Sequence, residues 1–414
     1  MELKLKDFKD AQKRIECLVR HTPLDHSKTL SKITGGEIYL KCENLQTTGS
    51  FKIRGATNRI SILAKEGKCK KVVAASAGNH AQGVACAATK FNIKSTIIMP
   101  LGTPIAKIQA TKGYGAKILE IGECFDDAYE HAVNYAKKEG ATFVHPYDDK
   151  DVIVGQGTVG LEILEDLKDA EMVLIPAGGG GLLAGVSTAL KLINPKIQVV
   201  GVQSENANAI CLSYKNKKKI VTSSSRTIAE GISVKNPGNN TLPLIYKNVD
   251  QMITVNDEEI ANAILFLMER NKIIVEGAGA TPVAAVLHNK INVKNKKVVL
   301  LISGGNIDFT FINRLLERGL YSYNRRIQLF VVLPNDKKST ESFMNLLREE
   351  GVNIIDMKID TASTYASINE IMMNLVCEIS DKNHKLQLIE RFKKSGYKIK
   401  FEKPTGDTYI YIKK

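Results

Sequence analysis

The segment Gly49-Ser50-Phe51-Lys52-Ile53-Arg54-Gly55-Ala56 places one lysine between an aromatic residue and a branched apolar residue. In apolar surroundings a lysine loses hydration, and its neutral amine form is favoured. A neutral amine can condense with an aldehyde to form a Schiff base. Alternatively, Lys52 is an ordinary surface lysine, whose ammonium group lies in water while its aliphatic part packs on apolar neighbours. Other motifs of the chain distinguish between these two interpretations.

Short apolar runs alternate with amphipathic stretches on both sides of Asp151. This alternation predicts parallel sheets covered by helices on both faces, and therefore two doubly wound α/β domains. The predicted strands lie at 72–75, 95–99, 116–121, 142–145, 172–176, 199–202 and 298–302.

Beyond Arg325 the apolar spacing follows the order strand–helix–strand–strand–helix–strand, which is typical of a ferredoxin-like βαββαβ unit. We therefore predict three parts of the chain. Residues 1–320 form the main region, in which a small subdomain at about 54–150 is inserted between 1–53 and 151–320; residues 325–402 form the ferredoxin-like domain and 403–414 a C-terminal tail.

The net charge and the cysteine content limit the classes of function that the chain can have. The chain has 414 residues and a formal net charge of +14, but its densest lysine runs, at 217–219 and 294–297, lack interleaved aromatic residues. A solvated surface therefore explains the charge better than a nucleic-acid interface does. The seven cysteines are dispersed without a C-x-x-C pair, and no apolar run approaches the length of a membrane span. We predict a soluble, cytoplasmic protein without disulfides.

Three further motifs follow predicted strands. Four glycines and a leucine (Gly178, Gly179, Gly180, Gly181 and Leu182) stand where a helix begins, so that backbone N–H groups can converge on a phosphate. No Gly-Lys-Ser/Thr follows, which excludes a nucleotide P-loop. A second motif, Ser76-Ala77-Gly78-Asn79-His80, can hold a carboxylate at a helix start, and the third is Ser303-Gly304-Gly305-Asn306. Alone, each motif is also compatible with a turn or a helix cap.

The four motifs together suit one cofactor. Lys52 can form a Schiff base with an aldehyde, and the glycine loop can bind a phosphate. Asn79 can bind a phenolic oxygen, and Ser303 can bind a ring nitrogen. These are the functional groups of pyridoxal 5′-phosphate, PLP. In open α/β sheets ligands bind at the carboxyl ends of strands, where three of these motifs are predicted to lie. PLP serves as an electron sink for chemistry at the α-carbon of amino acids.

The chain resembles the threonine dehydratases (threonine ammonia-lyases) of the fold type II, tryptophan-synthase-β-like PLP enzymes. The similarity covers roughly residues 5–320 and rests, in order, on Glu43–Gln46 with Ser50–Ala56, Ser76–Gly83, Gly178–Leu182 and Ser303–Asp308. The resemblance implies that Lys52 holds the cofactor as a Schiff base and that its freed amine removes the substrate α-proton.

The same resemblance implies roles for the neighbouring residues. Phe51 lines the cofactor ring, Asn79 contacts the ring hydroxyl, residues 178–182 hold the phosphate and Ser303 contacts the pyridine nitrogen. A serine cannot keep that nitrogen protonated by charge pairing, which suits elimination rather than long-lived carbanions. Residues 76–80 are the candidate site for the substrate carboxylate.

Departures from related enzymes refine the prediction. Serine racemases, which this chain also resembles, have a second serine where Ala77 stands, so dehydration is favoured over racemisation. The positions of their acidic metal ligands match Gln203 and Ala209, which are poor ligands for a hard cation, and we predict no metal there. Glu276 lies near the site in relatives, and both a functional role and a structural role at a helix start are open.

The C-terminal unit resembles an ACT domain, the amino-acid-sensing module of many such dehydratases. Its turn Pro334–Ser339 lacks the glycine that effector-binding ACT domains usually carry. Effector binding and a purely oligomerising role are therefore both open. A homo-oligomer, dimer or tetramer, is the expectation for the family.

We predict a PLP-dependent lyase that converts L-threonine to 2-oxobutanoate and ammonia, and also L-serine to pyruvate. Within enzymes, the alternative is a serine racemase or a β-replacing synthase. The alternative from another class is an amino-acid sensor without catalysis, against which the intact Lys52 argues, because a binding module needs no Schiff base.

Overall fold

The computed structural model describes residues 1–67 and 69–402, without the side chains at positions 398 and 402. The predicted C-terminal tail, 403–414, lies outside the described residues. The internal contacts divide the chain into Met1–Ile307, called unit 1, and the part from Asp308 onward, called unit 2. No described helix combines the length and the apolar character that a membrane span requires.

The strands of unit 1 are β1 (Leu24–His26), β2 (Glu37–Cys42), β3 (Lys71–Ala75), β4 (Lys94–Met99), β5 (Lys117–Glu120), β6 (Thr142–Phe143), β7 (Met172–Pro176), β8 (Gln198–Ser204), β9 (Gln251–Val255) and β10 (Lys297–Ile302). Its helices are α1 (Leu5–Ile15), α2 (Lys28–Thr34), α3 (Lys52–Glu66), α4 (Asn79–Lys90), α5 (Ile105–Gly113), α6 (Phe125–Lys138), α7 (Lys150–Asp166), α8 (Gly181–Ile193), α9 (Ala209–Asn216), α10 (Thr241–Asn248), α11 (Asp257–Phe266) and α12 (Gly277–Leu287).

The larger sheet of unit 1 has the strand order β1-β2-β10-β7-β8-β9. All its neighbouring strands are parallel except β1, which runs antiparallel to β2. All five residues of β7 are buried, as expected for a strand covered on both faces. Side chains of α1, α7 and α8 pack on it, among them Phe8, Ile153 and Leu183.

The smaller sheet has the order β5-β4-β3-β6 and is parallel throughout. One face is covered by α3, α4 and α5 in a core that contains Ile53, Val84 and Ile108. The other face packs against three alanines of α6: Ala128, Ala132 and Ala136. Helices on both faces confirm the predicted doubly wound α/β architecture.

Unit 2 begins with α13 (Phe309–Ser322) and continues with β11 (Arg326–Pro334), α14 (Lys337–Glu349), β12 (Asn353–Asp360), β13 (Glu370–Glu378), α15 (Lys382–Ser395) and β14 (Lys398–Glu402). The strands form an antiparallel sheet in the order β12-β13-β11-β14. Apolar residues of α14 and α15, such as Phe343 and Phe392, share one core with alternate residues of β11 and β13. The predicted βαββαβ order is confirmed.

Candidate active site

The lysine segment is joined to the segment that follows β10. The Phe51 N–H donates to the Ser303 carbonyl at 3.1 Å, and the Gly305 N–H donates to the Gly49 carbonyl at 2.9 Å. An antiparallel bridge pairs Ser50 with Gly304 between these two bonds. The first and the fourth motif of the sequence therefore form one backbone unit, from which Lys52 begins α3.

Lys52 lies between the end of β6 and the start of α4. Its Nζ donates a hydrogen bond to the Pro146 carbonyl at 2.9 Å and stands 5.3 Å from the centre of the Phe51 ring. A Cβ on Gly83 of α4 would come within 3.2 Å of the Lys52 carbonyl carbon, so glycine permits the close approach of the two helices.

Burial lowers the pKa of the Lys52 ammonium to about 8, against an opposing contribution from the carboxylate of Glu276. A substantial fraction of the amine is therefore neutral near physiological pH, which is the form that attacks a carbonyl or takes a proton.

The glycine loop between β7 and α8 has no room for side chains. A Cβ on Gly179 would lie 2.4 Å from Cδ2 of Tyr147, and one on Gly180 would lie 2.7 Å from Oγ1 of Thr241. Gly180 also has a φ of 99°, in the left-handed region that favours glycine. Tyr147, which follows β6, ties this loop to the neighbourhood of Lys52.

The same loop presents a row of unused hydrogen-bond donors. Within the described part of the chain, the N–H groups of residues 178–183 have no acceptor, although Gly179 to Leu183 are buried. Buried amides without partners are costly, and the N-terminus of a helix attracts negative charge. The arrangement fits a phosphate group.

A second set of free donors lies at the start of α4. Gly78 N–H donates to Oγ of Ser76 at 3.2 Å. The N–H groups of Ala77, Asn79 and His80 have no acceptor among the described residues. The space where a Cβ of Gly78 would stand is open to 4 Å. This geometry can receive a carboxylate, as predicted for the segment.

Asn79 is held by two partners from distant parts of the chain. Its Nδ2 donates to Oε1 and Oε2 of Glu276 at 2.8 and 3.0 Å, and its Oδ1 accepts a hydrogen bond from Nδ2 of Asn306 at 2.5 Å. Nδ2 of Asn306 also donates to the Thr48 carbonyl at 2.9 Å. These bonds occupy both the amide oxygen and the amino group of Asn79, the side chain predicted to contact the cofactor hydroxyl.

Glu276 directly precedes α12, and its carboxylate lies against the side chain of Asn79. Its backbone N–H donates to the Gly304 carbonyl at 3.0 Å. Burial raises the pKa of its carboxyl to about 7, opposed by the hydrogen bond from Asn79 and the charge of Lys52. The carboxyl group therefore lies within electrostatic reach of the lysine.

Ser303 is 2% exposed, and its hydroxyl makes no hydrogen bond to any described residue. Its carbonyl accepts the hydrogen bond from the Phe51 N–H, which holds the end of β10 beside the lysine segment. A free, buried hydroxyl at the end of β10 is available to a ring nitrogen.

The comparisons with known proteins agree with this geometry. The model of the family described as pyridoxal-phosphate dependent enzyme matches residues 15–304. The chain belongs to this family. The L-threonine ammonia-lyase of Thermotoga maritima is 46% identical over 396 residues, which are 96% of this chain and 98% of that protein. The catabolic L-threonine dehydratase of Staphylococcus aureus is 49% identical over 320 residues, 76% of this chain and 92% of its own length.

Solved structures of the same family superpose on the chain. The processed form of threonine deaminase isoform 2 from Solanum lycopersicum has a TM-score of 0.72 at 36% identity, covering 76% of this chain and 92% of that chain. Maize serine racemase has a TM-score of 0.73 at 33% identity, covering 78% of this chain and 100% of that one.

The cofactor of this PLP-enzyme family member is pyridoxal 5′-phosphate, and the residues present fit it. The neutral amine of Lys52, the unpaired N–H groups at 178–183 and the free hydroxyl of Ser303 match an aldehyde, a phosphate and a ring nitrogen in turn. When bound, the cofactor accepts the electron pair that is released at the α-carbon of an amino acid.

Residues of the sequence motif around Lys52 also stabilise the structure. The Arg54 guanidinium is fully buried and donates to Oε1 and Oε2 of Glu43, each at 2.7 Å, and to Oε1 and Oε2 of Glu162 at 2.6 and 2.9 Å. Gln46 exchanges two hydrogen bonds of 2.8 Å with the backbone of Arg20. These contacts fix the first turn of α3, and with it Lys52.

The position matched to a racemase metal ligand is occupied by an amide. Nε2 of Gln203 donates to the Ala177 carbonyl at 3.0 Å, and its Oε1 accepts from the Cys211 N–H at 2.8 Å. The amide thus ties the residue before the glycine loop to α9. Within residues 1–67 and 69–402 no group of three or more His, Cys, Asp or Glu could hold a metal ion.

Sequence reasoning missed the segment His145–Tyr147, which supplies the acceptor for Lys52 and the ring against the glycine loop. It follows β6, so the rule that ligands bind at the carboxyl ends of strands could have pointed to it. The residue types alone carried no such signal.

Gly179→Ala should weaken cofactor binding about tenfold or more, because the added methyl group meets the Tyr147 ring at 2.4 Å. The ring cannot easily retreat, since its hydroxyl donates to the Asn236 carbonyl at 2.9 Å. Equilibrium titration of the cofactor-free protein measures the change. Gly113→Ala is the control, because no atom lies within 4 Å of its Cβ position. Equal affinities of the two variants would contradict this account of the loop.

Capture of the cofactor should depend on pH with a midpoint near the Lys52 pKa of about 8. The neutral amine dominates above that pH, so the initial rate of absorbance growth at about 410 nm should rise through it. Glu276→Gln removes the charge that raises this pKa, and the midpoint should move to lower pH. Glu66→Gln, an exposed change at the far end of α3, should leave it unchanged. A wild-type midpoint near the ordinary value of 10.5 would contradict the assignment.

Proposed function

We propose that this protein dehydrates and deaminates L-threonine to 2-oxobutanoate and ammonia, and that it also converts L-serine to pyruvate and ammonia. The observation that carries the proposal is the partly buried amine of Lys52, whose acceptor Pro146 is followed by Tyr147, the residue that packs on a loop of unpaired amides. The names of the relatives from Thermotoga maritima and Staphylococcus aureus support threonine as the substrate.

In this proposal Lys52 is the catalytic base. Its neutral Nζ takes the proton from the substrate α-carbon, and its lowered pKa supports this at physiological pH. The N–H groups of Ala77, Asn79 and His80 bind the substrate carboxylate and orient the α-carbon toward Lys52.

The remaining site residues hold the cofactor. The proposed contacts are the Phe51 ring on the cofactor ring, the Asn79 side chain at the ring hydroxyl, the Ser303 hydroxyl at the ring nitrogen, and Gly178 to Leu182 at the phosphate. The unsatisfied donors of these residues support the assignment.

The test is an assay of ammonia and 2-oxo acid from a set of hydroxy amino acids, run with protein loaded with cofactor. We expect 2-oxobutanoate from L-threonine and pyruvate from L-serine. Both amino acids are assayed side by side, because one methyl group changes binding by only about 1–3 kcal/mol. A loaded protein that releases ammonia from neither amino acid would overturn the proposal.

Serine racemase is the second candidate, because maize serine racemase superposes on this chain. Ala77 has no hydroxyl to serve as an acid or base on the opposite face of the substrate, which favours elimination. Chiral analysis of serine after incubation separates the two activities. Accumulation of D-serine faster than pyruvate would favour the racemase.

We also propose that unit 2 is an ACT-like module that binds an amino-acid effector. Its βαββαβ order supports this, as does a cavity lined by Leu333, Lys338, Ser339, Ser342, Gly396 and Tyr397. Calorimetric titration of the full chain with isoleucine and with valine tests it. Heat of binding from at least one of them is expected, and its absence would leave unit 2 with a structural role.

A homo-oligomer and a cytoplasmic location complete the proposal. The seven cysteines are free, which supports a reducing compartment. Light scattering of the purified protein tests the oligomeric state, for which a dimer or tetramer is expected.

A further inference from the structure

His145 directly precedes the two residues that contact Lys52 and the glycine loop, Pro146 and Tyr147. It follows β6 and precedes Pro146, whose carbonyl accepts the hydrogen bond from Lys52 at 2.9 Å. Its ring meets the Tyr147 ring edge to face at 4.6 Å, and Tyr147 packs against Gly179. The imidazole is thus one residue away from the hydrogen-bond acceptor of the Lys52 amine.

The backbone fixes which nitrogen of His145 carries the hydrogen. Nδ1 accepts the N–H groups of Tyr147 at 3.2 Å and of Asp148 at 2.8 Å. An Nδ1 atom that accepts two hydrogen bonds cannot itself carry a hydrogen, so the neutral ring is protonated at Nε2. Burial lowers the pKa of the imidazole to about 4, with Lys52 acting in the same direction and Asp148 against it. The ring is therefore a neutral donor at physiological pH.

The Nε2–H group of His145 is unused within the part of the chain that the structure describes. No described residue accepts a hydrogen bond from it, and the Nε2 atom is not completely shielded from solvent. The neighbouring His80 differs, because its Nε2 lies 2.9 Å from the Val144 carbonyl and is occupied there. A donor that is held in a fixed orientation and has no acceptor among the described residues is available to a ligand.

We propose that His145 donates a hydrogen bond from Nε2 to the β-hydroxyl oxygen of the substrate and so assists cleavage of the Cβ–O bond. This inference rests on the proposed function. The free N–H groups at the start of α4 serve the substrate carboxylate, and the Nε2–H group of His145 is a further donor that can serve the hydroxyl. A neutral donor suits an uncharged oxygen that gains negative charge only as its bond lengthens.

The proposed step balances without ionisation of the imidazole. Lys52 Nζ takes the α-proton, and the electron pair left behind forms the Cα–Cβ double bond. The Cβ–O bond breaks with its pair moving onto oxygen. Lys52 returns its proton to that oxygen, which leaves as water, while His145 keeps its hydrogen throughout.

Two variants separate the donor from the structural role of the ring. In His145→Asn the side-chain oxygen can replace Nδ1 as the acceptor for the turn, but the distal N–H is lost. In His145→Gln a distal N–H remains. Each is assayed on L-threonine and on β-chloro-L-alanine, whose chloride leaves without a hydrogen bond or a proton. The dissociation constant of L-2-aminobutyrate, which lacks the hydroxyl, is measured by absorbance.

Wild-type turnover of threonine comes first, because its absence refutes the proposed function and not the role of His145. We expect His145→Asn to lower kcat/KM for threonine about ten- to a hundredfold. Elimination from β-chloroalanine and the affinity for 2-aminobutyrate should stay within about threefold, and His145→Gln should restore most of the loss. Equal losses on both substrates, or no loss on threonine, would overturn the proposal.

Discussion

Lys52→Ala should abolish ammonia release from threonine, with kcat lowered by at least about a thousandfold. The variant removes the amine that both holds the cofactor and moves the α-proton, and no second amine is described at the same place. The absorbance band at about 410 nm should vanish at the same time, because it belongs to the covalent linkage. Stopped assays of 2-oxobutanoate, with absorbance spectra of the same samples, measure both effects.

The control for Lys52→Ala is Lys65→Ala, an exposed position in the last turn of the same helix. It should retain wild-type turnover and the absorbance band. Thermal unfolding of both variants checks that the fold is intact. Residual turnover in the Lys52 variant at more than a few per cent of wild type would contradict its role as the catalytic base.

Arg54→Ala should destabilise the protein by about 3–5 kcal/mol, because it leaves the buried Glu43 carboxylate without its cation and Glu162 with Lys41 as its remaining cation. The Arg54 guanidinium and the Glu43 carboxylate are fully buried, and the Glu162 side chain is 5% exposed. The pKa of Arg54 is raised by these carboxylates against the effect of burial, so the pairing outweighs desolvation for this cation. Urea unfolding of the cofactor-free protein measures the loss.

Arg59→Ala on the same helix is the matched control. Its guanidinium is 23% exposed and pairs with Asp149 and Asp151 near the surface. Partly exposed pairs of this kind contribute about 1 kcal/mol or less. If the two variants unfolded at the same urea concentration, the buried network would not be what anchors the first turn of α3.

Local pattern was sufficient to predict much of the fold. The strands around the small subdomain and the βαββαβ order of unit 2 follow from apolar spacing, which reports burial one residue at a time. The N-terminal elements were not predicted individually. Phe8 and Ala11 of α1 are buried in one core with Ile153 of α7. Ile153 follows Phe8 by 145 positions (153 − 8), so no local signal describes the contact.

The parts of the site that lie at strand ends or within sequence motifs could be predicted from the sequence. Lys52, the glycine loop and Ser303 lie at or beside the ends of strands, where ligands of α/β proteins bind. The pairing of Asn79 with Glu276, separated by 197 positions, and that of Arg54 with Glu162, separated by 108, depend on tertiary contacts that spacing does not encode. The same holds for His145, whose significance rests on the hydrogen bonds to its Nδ1 atom.

The central claim is that the amine of Lys52 is covalently linked to pyridoxal 5′-phosphate. Sodium borohydride reduces such a linkage to a stable bond, and peptide mass spectrometry then locates the added mass. The account predicts the label on the peptide that contains Lys52 and nowhere else in stoichiometric amount. A folded, cofactor-loaded protein that carried the label on another lysine, or carried none, would contradict it.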